Sequence, residues 1–191
     1  MNILIVGVGG QGTLLASRIL GAYAEKTQQD VKLNEVHGMS QRGGSVVTHV
    51  RIGKDIAAPT VSVGETDIVL AFEELEALRY AHFLKKGGSL VVNKQKIMPM
   101  GVLIGQCEYP QDTDQLLRGD YNKYFIDAAM LAEQAGSVKA VNVVMLGALT
   151  KILELDKGTM QSAIEKTVPN KFLKLNLDAF SKGYNVGGEQ K

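Results

Sequence analysis

Cysteine is almost absent from this sequence, tryptophan is missing, and aromatic residues make up only 6% of the chain. The lone Cys107 excludes an internal disulfide. It also excludes an iron–sulphur cluster held by this chain alone, because such a cluster takes about four thiolates. Cys107 ends the stretch Val102-Leu103-Ile104-Gly105-Gln106-Cys107 and is expected to be a buried packing residue rather than a nucleophile. Charge of one sign is also lacking. Lys and Arg number 21 against 20 Asp and Glu, a formal charge of +1, so no bulk nucleic-acid partner is indicated. No run approaches the roughly 18 apolar residues of a membrane span. Asn2 opens the first core strand, so no signal-peptide pattern precedes it, and a cytoplasmic protein is expected. His37 and His49 have no third ligand at a metal-like spacing, so no metal site is expected.

What is there is aliphatic. Hydrophobic residues make up 45% of the 191, enough for one domain with a proper core. Ile3 to Val6 form an unbroken apolar run ended by Gly7, as in a parallel-sheet strand buried on both faces. Gly7, Gly9 and Gly12 then fit G-x-G-x-x-G, the tight turn from a strand into a helix. Leu14, Leu15, Ile19, Leu20, Tyr23 and Ala24 follow at helical spacing over 13–26. The amides from Gly10 to Thr13, backed by the helix dipole, are expected to face a crevice as an anion site. The other reading is a tight turn that binds nothing in the isolated chain.

Residues 31–36 read as a second strand, and Ser45 to Gly53 alternate as a strand with one wet face. Asp67 to Phe72 form another buried strand. A helix is expected over Glu73 to Lys85, ended by Gly87-Gly88, followed by a strand over Ser89 to Val92. Residues 94–123 look irregular, with short strands and surface connections. Segments 126–135 and 141–153 carry glycine punctuation, and helices are expected over 158–168 and 171–184, separated by Pro169. The expected class is α/β: a three-layer, Rossmann-like open sheet, mostly parallel, with helices on both faces. Residues 1–186 form a single domain, and 187–191 a frayed polar tail. Gly119-Asp120 could open a thiamine-diphosphate motif, but Tyr121 stands where that motif needs glycine.

A second constellation lies at 37–44, where His37, Ser40, Gln41 and Arg42 crowd polar groups between Gly38, Gly43 and Gly44. It follows the second strand, on the crevice side of an open α/β sheet, and so faces the glycine loop. Lys94 and Lys96, just after a later strand, add positive charge to that rim, and the whole suits phosphates or a carboxylate. A dinucleotide site wants an acid about 20 residues beyond the glycines. Glu35 is at a plausible spacing but leads into this basic loop and equally suits a partner role for Arg42. Two further readings follow from the residues: a self-sufficient NAD(P)-dependent reductase with Glu35 on the ribose, or a non-enzymatic nucleotide-sensing module.

The string Gly7-Val8-Gly9-Gly10-Gln11-Gly12-Thr13, followed by Glu35-Val36-His37-Gly38-Met39-Ser40-Gln41-Arg42-Gly43-Gly44-Ser45-Val46, resembles the gamma-type subunit or domain of 2-oxoacid:ferredoxin oxidoreductases. Ala71-Phe72-Glu73, Val92-Asn93, Asn142 to Gly147, and Asn176 with Ala179-Phe180 and Gly183 agree with it, so the resemblance covers nearly the whole chain. The stretch Ala71 to Tyr80 looks most like the indolepyruvate branch of that family, with the pyruvate, 2-oxoisovalerate and 2-oxoglutarate enzymes as alternatives. The resemblance implies a small subunit, inactive alone. A larger partner carries thiamine diphosphate and iron–sulphur clusters, decarboxylates an aryl 2-oxoacid and passes electrons to ferredoxin, and coenzyme A takes the acyl group. It further implies that this chain completes the active site and helps to hold coenzyme A. Gly9, Gly10, Gly12, Thr13 and Gly43 would supply backbone. Arg42, Lys94 and Lys96 would meet the phosphates, and Gln11, Ser40 and Gln41 would supply hydrogen bonds. No residue of this chain is expected to be catalytic.

Overall fold

In a computed structural model, which describes residues 1–37 and 44–189 (His37 and Glu189 by backbone alone), the chain builds a six-stranded sheet. The strands are β1 (Asn2–Val8), β2 (Asp30–His37), β3 (Ser45–Gly53), β4 (Thr66–Ala71), β5 (Leu84–Asn93) and β6 (Asn122–Ile126), in the order β2-β3-β1-β4-β5-β6. Strands β1, β4, β5 and β6 run parallel, whereas β3 is antiparallel to both β1 and β2. Among the described residues eight α-helices accompany them: α1 (Thr13–Lys26), α2 (Glu74–Tyr80), α3 (Met100–Leu103), α4 (Thr113–Leu116), α5 (Ala128–Gln134), α6 (Val141–Ile152), α7 (Lys157–Thr167) and α8 (Asn170–Glu189).

The sheet is mostly parallel and covered on both faces, as its aliphatic strands require. Ile3, Ile5, Ile68, Leu70 and Val91 face the larger core, shared with α1 and α5–α8. Leu4, Val6, Val69, Leu90 and Val92 face the smaller one, where Ala77 of α2 and Leu117 lie. Helix α6 is apolar nearly all round and buried along its length, which places it between sheet and α8. Gly147 and Gly183 let the two helices touch: a Cβ on Gly183 would sit 1.9 Å from the Val144 carbonyl oxygen.

Several sequence expectations are corrected. The wet face expected of β3 is covered: His49 is buried, its Nδ1 accepts from the Val61 N–H at 3.1 Å, and the Phe83 ring stands edge-on to it. Burial also holds the His49 imidazole below its ordinary pKa. The helix expected to reach Lys85 stops at Tyr80. A short 3-10 turn leads to β5, which starts already at Leu84, and positive-φ Gly87 donates to the Asp120 carbonyl from an irregular first half of the strand. The region expected to hold short strands carries the short helices α3 and α4 instead and joins the sheet only at its end, through β6, a half-exposed edge whose apolar pattern is weak. Cys107 is exposed, because residues 98–107 ride on the surface instead of entering the core. Helix α8 continues to Glu189, with Gly187 set against Ala148, where a frayed tail from 187 was expected.

Candidate functional site

The chain runs outward from β1 through α1 to β2 on one side and through β4, β5 and β6 on the other, so the sheet's switch point falls between β1 and β4. Ligands of open α/β sheets bind at the carboxyl end of such a point. The glycine loop follows β1 there, and Phe72-Glu73 follows β4.

The loop's geometry comes from two left-handed residues, Gly10 at φ 103° and Gly12 at φ 84°. A Cβ on Gly10 would meet nothing within 4 Å, so its backbone faces open space. Gly12 caps α1 without a side-chain hydrogen bond, and its carbonyl accepts from the Leu15 and Ala16 amides. The amides of Gly10, Gly12, Thr13 and Leu14 donate to no described residue, as expected of a helix start left open for an anion. One amide of the expected set, that of Gln11, and the neighbouring Gly9 amide are committed elsewhere. Gly9 N–H donates to the Gly44 carbonyl at 2.9 Å, and Gln11 N–H to the Val8 carbonyl at 3.2 Å.

The Gln11 side chain turns inward rather than toward a ligand. Its Oε1 accepts from Val8 N–H at 2.7 Å, and its Nε2 donates to the Phe72 carbonyl at 2.9 Å and to Gln95 Oε1 at 3.0 Å. Gly7 leaves it room, since a Cβ there would lie 2.8 Å from Gln11 Oε1. Asn93, fully buried at the end of β5, donates to the same Phe72 carbonyl and to Gln95, and its Oδ1 accepts from Ala128 at the start of α5. From α6, Asn142 Nδ2 donates to the Gly12 carbonyl at 3.2 Å. Gln95 and Asn142 thus hold the loop from the end of β5 and the start of α6, and Asn93 holds Gln95. The sequence reading did not assign them this role, although Asn93 and Asn142 end or open apolar runs, where a polar residue invites the question.

Two recesses flank the loop and share Gly10 and Gly12. One, of about 260 Å³, is lined further by Gly9, Thr13, Leu14, Glu35 and Val46. The other, of about 630 Å³, adds Gln11, Gln95, Val138 and Lys139. Among the described residues, Lys139 is the cation that lines these recesses. Lys94 is exposed, and Lys96 faces the Glu74 carboxylate at 3.8 Å and lies over the Tyr109 ring; neither lines these recesses. Ser40, Gln41, Arg42 and Gly43 lie outside the described residues. Glu35 does reach the smaller recess. However, β3 stands between β1 and β2, so this acid is one strand further from the loop than the ribose-binding acid of a dinucleotide fold.

A second polar cluster braces the far rim. Glu73 caps α2 by accepting from Glu76 N–H at 3.0 Å, and it also accepts from Ile97 N–H and the Tyr109 hydroxyl. Burial and the Glu73 carboxylate push the Tyr109 phenol up. Glu76 accepts from Arg79 and from the Ser45 hydroxyl, and burial pushes its carboxyl up. Ser45 follows Gly44, which closes on Gly9, so the glycine loop and α2 are joined through the first residues of β3. Around this edge stand exposed apolar side chains: Leu14, Val36, Met98, Met100, Met130 and Val138.

The sequence profile of the family "Pyruvate ferredoxin/flavodoxin oxidoreductase" matches residues 2–186. Indolepyruvate oxidoreductase subunit IorB of Pyrococcus horikoshii is 41% identical, the alignment covering 98% of this chain and 96% of that one. A 2-oxoglutarate synthase subunit KorC from Methanocaldococcus jannaschii is 31% identical over 98% and 94%. The crystal structure of a keto/oxoacid ferredoxin oxidoreductase gamma subunit from Geobacter sulfurreducens superposes with a TM-score of 0.75, at 25% identity over 98% of both chains.

Proposed function

The chain belongs to the pyruvate ferredoxin/flavodoxin oxidoreductase family, as the small subunit of a 2-oxoacid:ferredoxin oxidoreductase, and from that premise we propose that its enzyme oxidatively decarboxylates aryl 2-oxoacids, indolepyruvate first among them, to acyl-CoA. The observation that carries the substrate is the full-length likeness to an indolepyruvate oxidoreductase subunit, ten points of identity above the 2-oxoglutarate relative (41 − 31).

In this reading a larger partner holds thiamine diphosphate and iron–sulphur clusters and delivers electrons to ferredoxin, since one cysteine cannot ligate a cluster. Coenzyme A supplies the thiol that accepts the acyl group. The chain's own residues fit an anionic ligand of that kind. The open amides of Gly10, Gly12 and Thr13 and the ammonium of Lys139 attract phosphates. Gly10 lets backbone approach closely, and Gln11, Gln95, Asn93 and Asn142 keep the loop from relaxing when a ligand leaves. Within the same proposal Arg42 is assigned to the phosphates and Ser40 and Gln41 to hydrogen bonds, on the family resemblance alone, while Lys96 is already engaged by the Glu74 carboxylate. The exposed apolar edge docks on the partner, which excludes water from the reacting centre.

The test is an anaerobic pull-down of the tagged chain from its native cells. A brown complex that reduces ferredoxin with indolepyruvate and coenzyme A is expected. A colourless, lone chain that binds NADH would overturn the reading.

A further inference from the structure

Three side-chain amides, those of Gln11, Asn93 and Gln95, meet behind the glycine loop, and their orientations are not free. Val8 N–H donates to Gln11 Oε1 at 2.7 Å, so Gln11 turns its Nε2 toward Gln95. Ala128 N–H donates to Asn93 Oδ1 at 3.2 Å, so Asn93 likewise turns its Nδ2 toward Gln95. A backbone N–H can only donate, and a side-chain amide has one accepting end. Two donors therefore converge on Gln95, at 3.0 and 3.1 Å, and its Oε1 is the end that can receive them.

The backbone of Gln95 is fixed as well. Its N–H donates to the Asn93 carbonyl at 2.7 Å, and its carbonyl accepts from the Glu74 amide at 3.0 Å. Gln11 Nε2 and Asn93 Nδ2 each have both N–H groups committed, to the Phe72 carbonyl and to Gln95. Gln95 differs. With its oxygen held by the cluster, its Nε2 faces the other way and donates to no described residue. Gln95 also lines the recess of about 630 Å³, beside Gly10, Gly12 and Lys139.

We propose that Gln95 is a ligand-contacting residue of this site: its Nε2, aimed by the Gln11 and Asn93 amides, donates to an oxygen of the anionic group that occupies the recess. The chemistry it recognises is an oxyanion, supplied either by the carboxylate of the 2-oxoacid or by a phosphate. Its contribution differs from that of Lys139. An ammonium on a flexible stem attracts an anion from many directions, whereas a planar amide held at its oxygen and backbone offers its N–H groups along fixed lines. This rests on the reading of the glycine loop as an anion site.

Gln95→Glu separates contact from bracing. A carboxylate still offers Gln11 and Asn93 an oxygen, so the cluster keeps its acceptor, but the outer N–H groups become a second oxygen that repels an anion. Gln95→Met keeps the length and removes both functions. In the assembled complex the KM values for indolepyruvate and for coenzyme A are measured at low and high salt. Gln95→Glu is expected to raise one of them about tenfold or more, the loss of a hydrogen bond to a charged group, and to do so less at high salt, where charge is screened. The substrate whose KM moves is the one that supplies the oxyanion. Gln95→Met is expected to raise the same KM by less. A raised KM in Gln95→Met with wild-type values in Gln95→Glu would make Gln95 a brace and overturn the contact. A complex that no longer assembles with Gln95→Glu would show the outer end to be enclosed, and would overturn it too. Wild-type values in Gln95→Glu beside a raised KM in Gly12→Ala would overturn the contact and leave the loop reading standing; wild-type values in both would overturn both.

Discussion

Glycine does opposite work in two regions of this molecule. Along the α6–α8 seam, Gly147 and Gly183 are helical, and a Cβ on either would fall within 2.2 Å of a backbone oxygen of the facing helix. In the loop after β1, Gly10 and Gly12 have left-handed φ, and a Cβ on Gly10 meets only open space. The seam glycines bring two apolar helices into contact and bury everything around them. The loop glycines keep backbone amides uncovered in a setting otherwise rich in hydrogen bonds. The first arrangement contributes stability; the second leaves donors open at the start of α1.

Substitution separates the two roles. The largest effect is expected in the seam: Gly183→Ala forces the helices apart and should cost about 3 kcal/mol or more, lowering the melting temperature by roughly 6–12 °C in a domain of this size. The affinity for coenzyme A, measured below that temperature, should stay within a factor of about two, since the seam touches no loop donor. Gly12→Ala should do the reverse. Its left-handed φ and the Asn142 amide 2.6 Å from the new Cβ cost about 1–2 kcal/mol of stability. The KM for coenzyme A should nevertheless rise about tenfold or more as the amides turn away.

A smaller effect is expected at His49, in β3 on the loop's own strand neighbourhood. Burial depresses its folded-state pKa, so the unfolded chain takes up a proton first as pH falls below about 6.5. The stability His49 contributes is therefore complete above that pH and lost as pH drops through the folded value. His49→Gln should flatten the fall in melting temperature between about pH 7 and 5, by less than roughly 4 °C. An unchanged slope would show that His49 does not titrate in that range.

The fold was largely legible because its signals are local. The run Ile3 to Val6, the three glycines and the helix over 13–26 need no tertiary context, and β1 and α1 follow them. What failed was long-range. His49 looked like a solvent-facing residue until residues after β3 covered it through the Val61 hydrogen bond. The start of β5 looked helical because Leu84 to Gly88 owe their extended form to pairing and to the Asp120 carbonyl. At the site, the glycine loop was visible in the sequence, but its supports were not. Gln11 reads as a ligand donor until Gln95, 84 positions away, accepts from it, and Lys139 acquires meaning only where α6 begins beside Gly12.

The measurement that tests the central claim most directly is add-back under anaerobic conditions: the large partner proposed to carry thiamine diphosphate and clusters is purified and assayed for acyl-CoA formation from indolepyruvate with and without this chain. The account predicts negligible thioester formation by the partner alone, full activity on stoichiometric addition of the chain, and a KM for coenzyme A that rises when the added chain is Gly12→Ala. Full activity of the partner without this chain would contradict it.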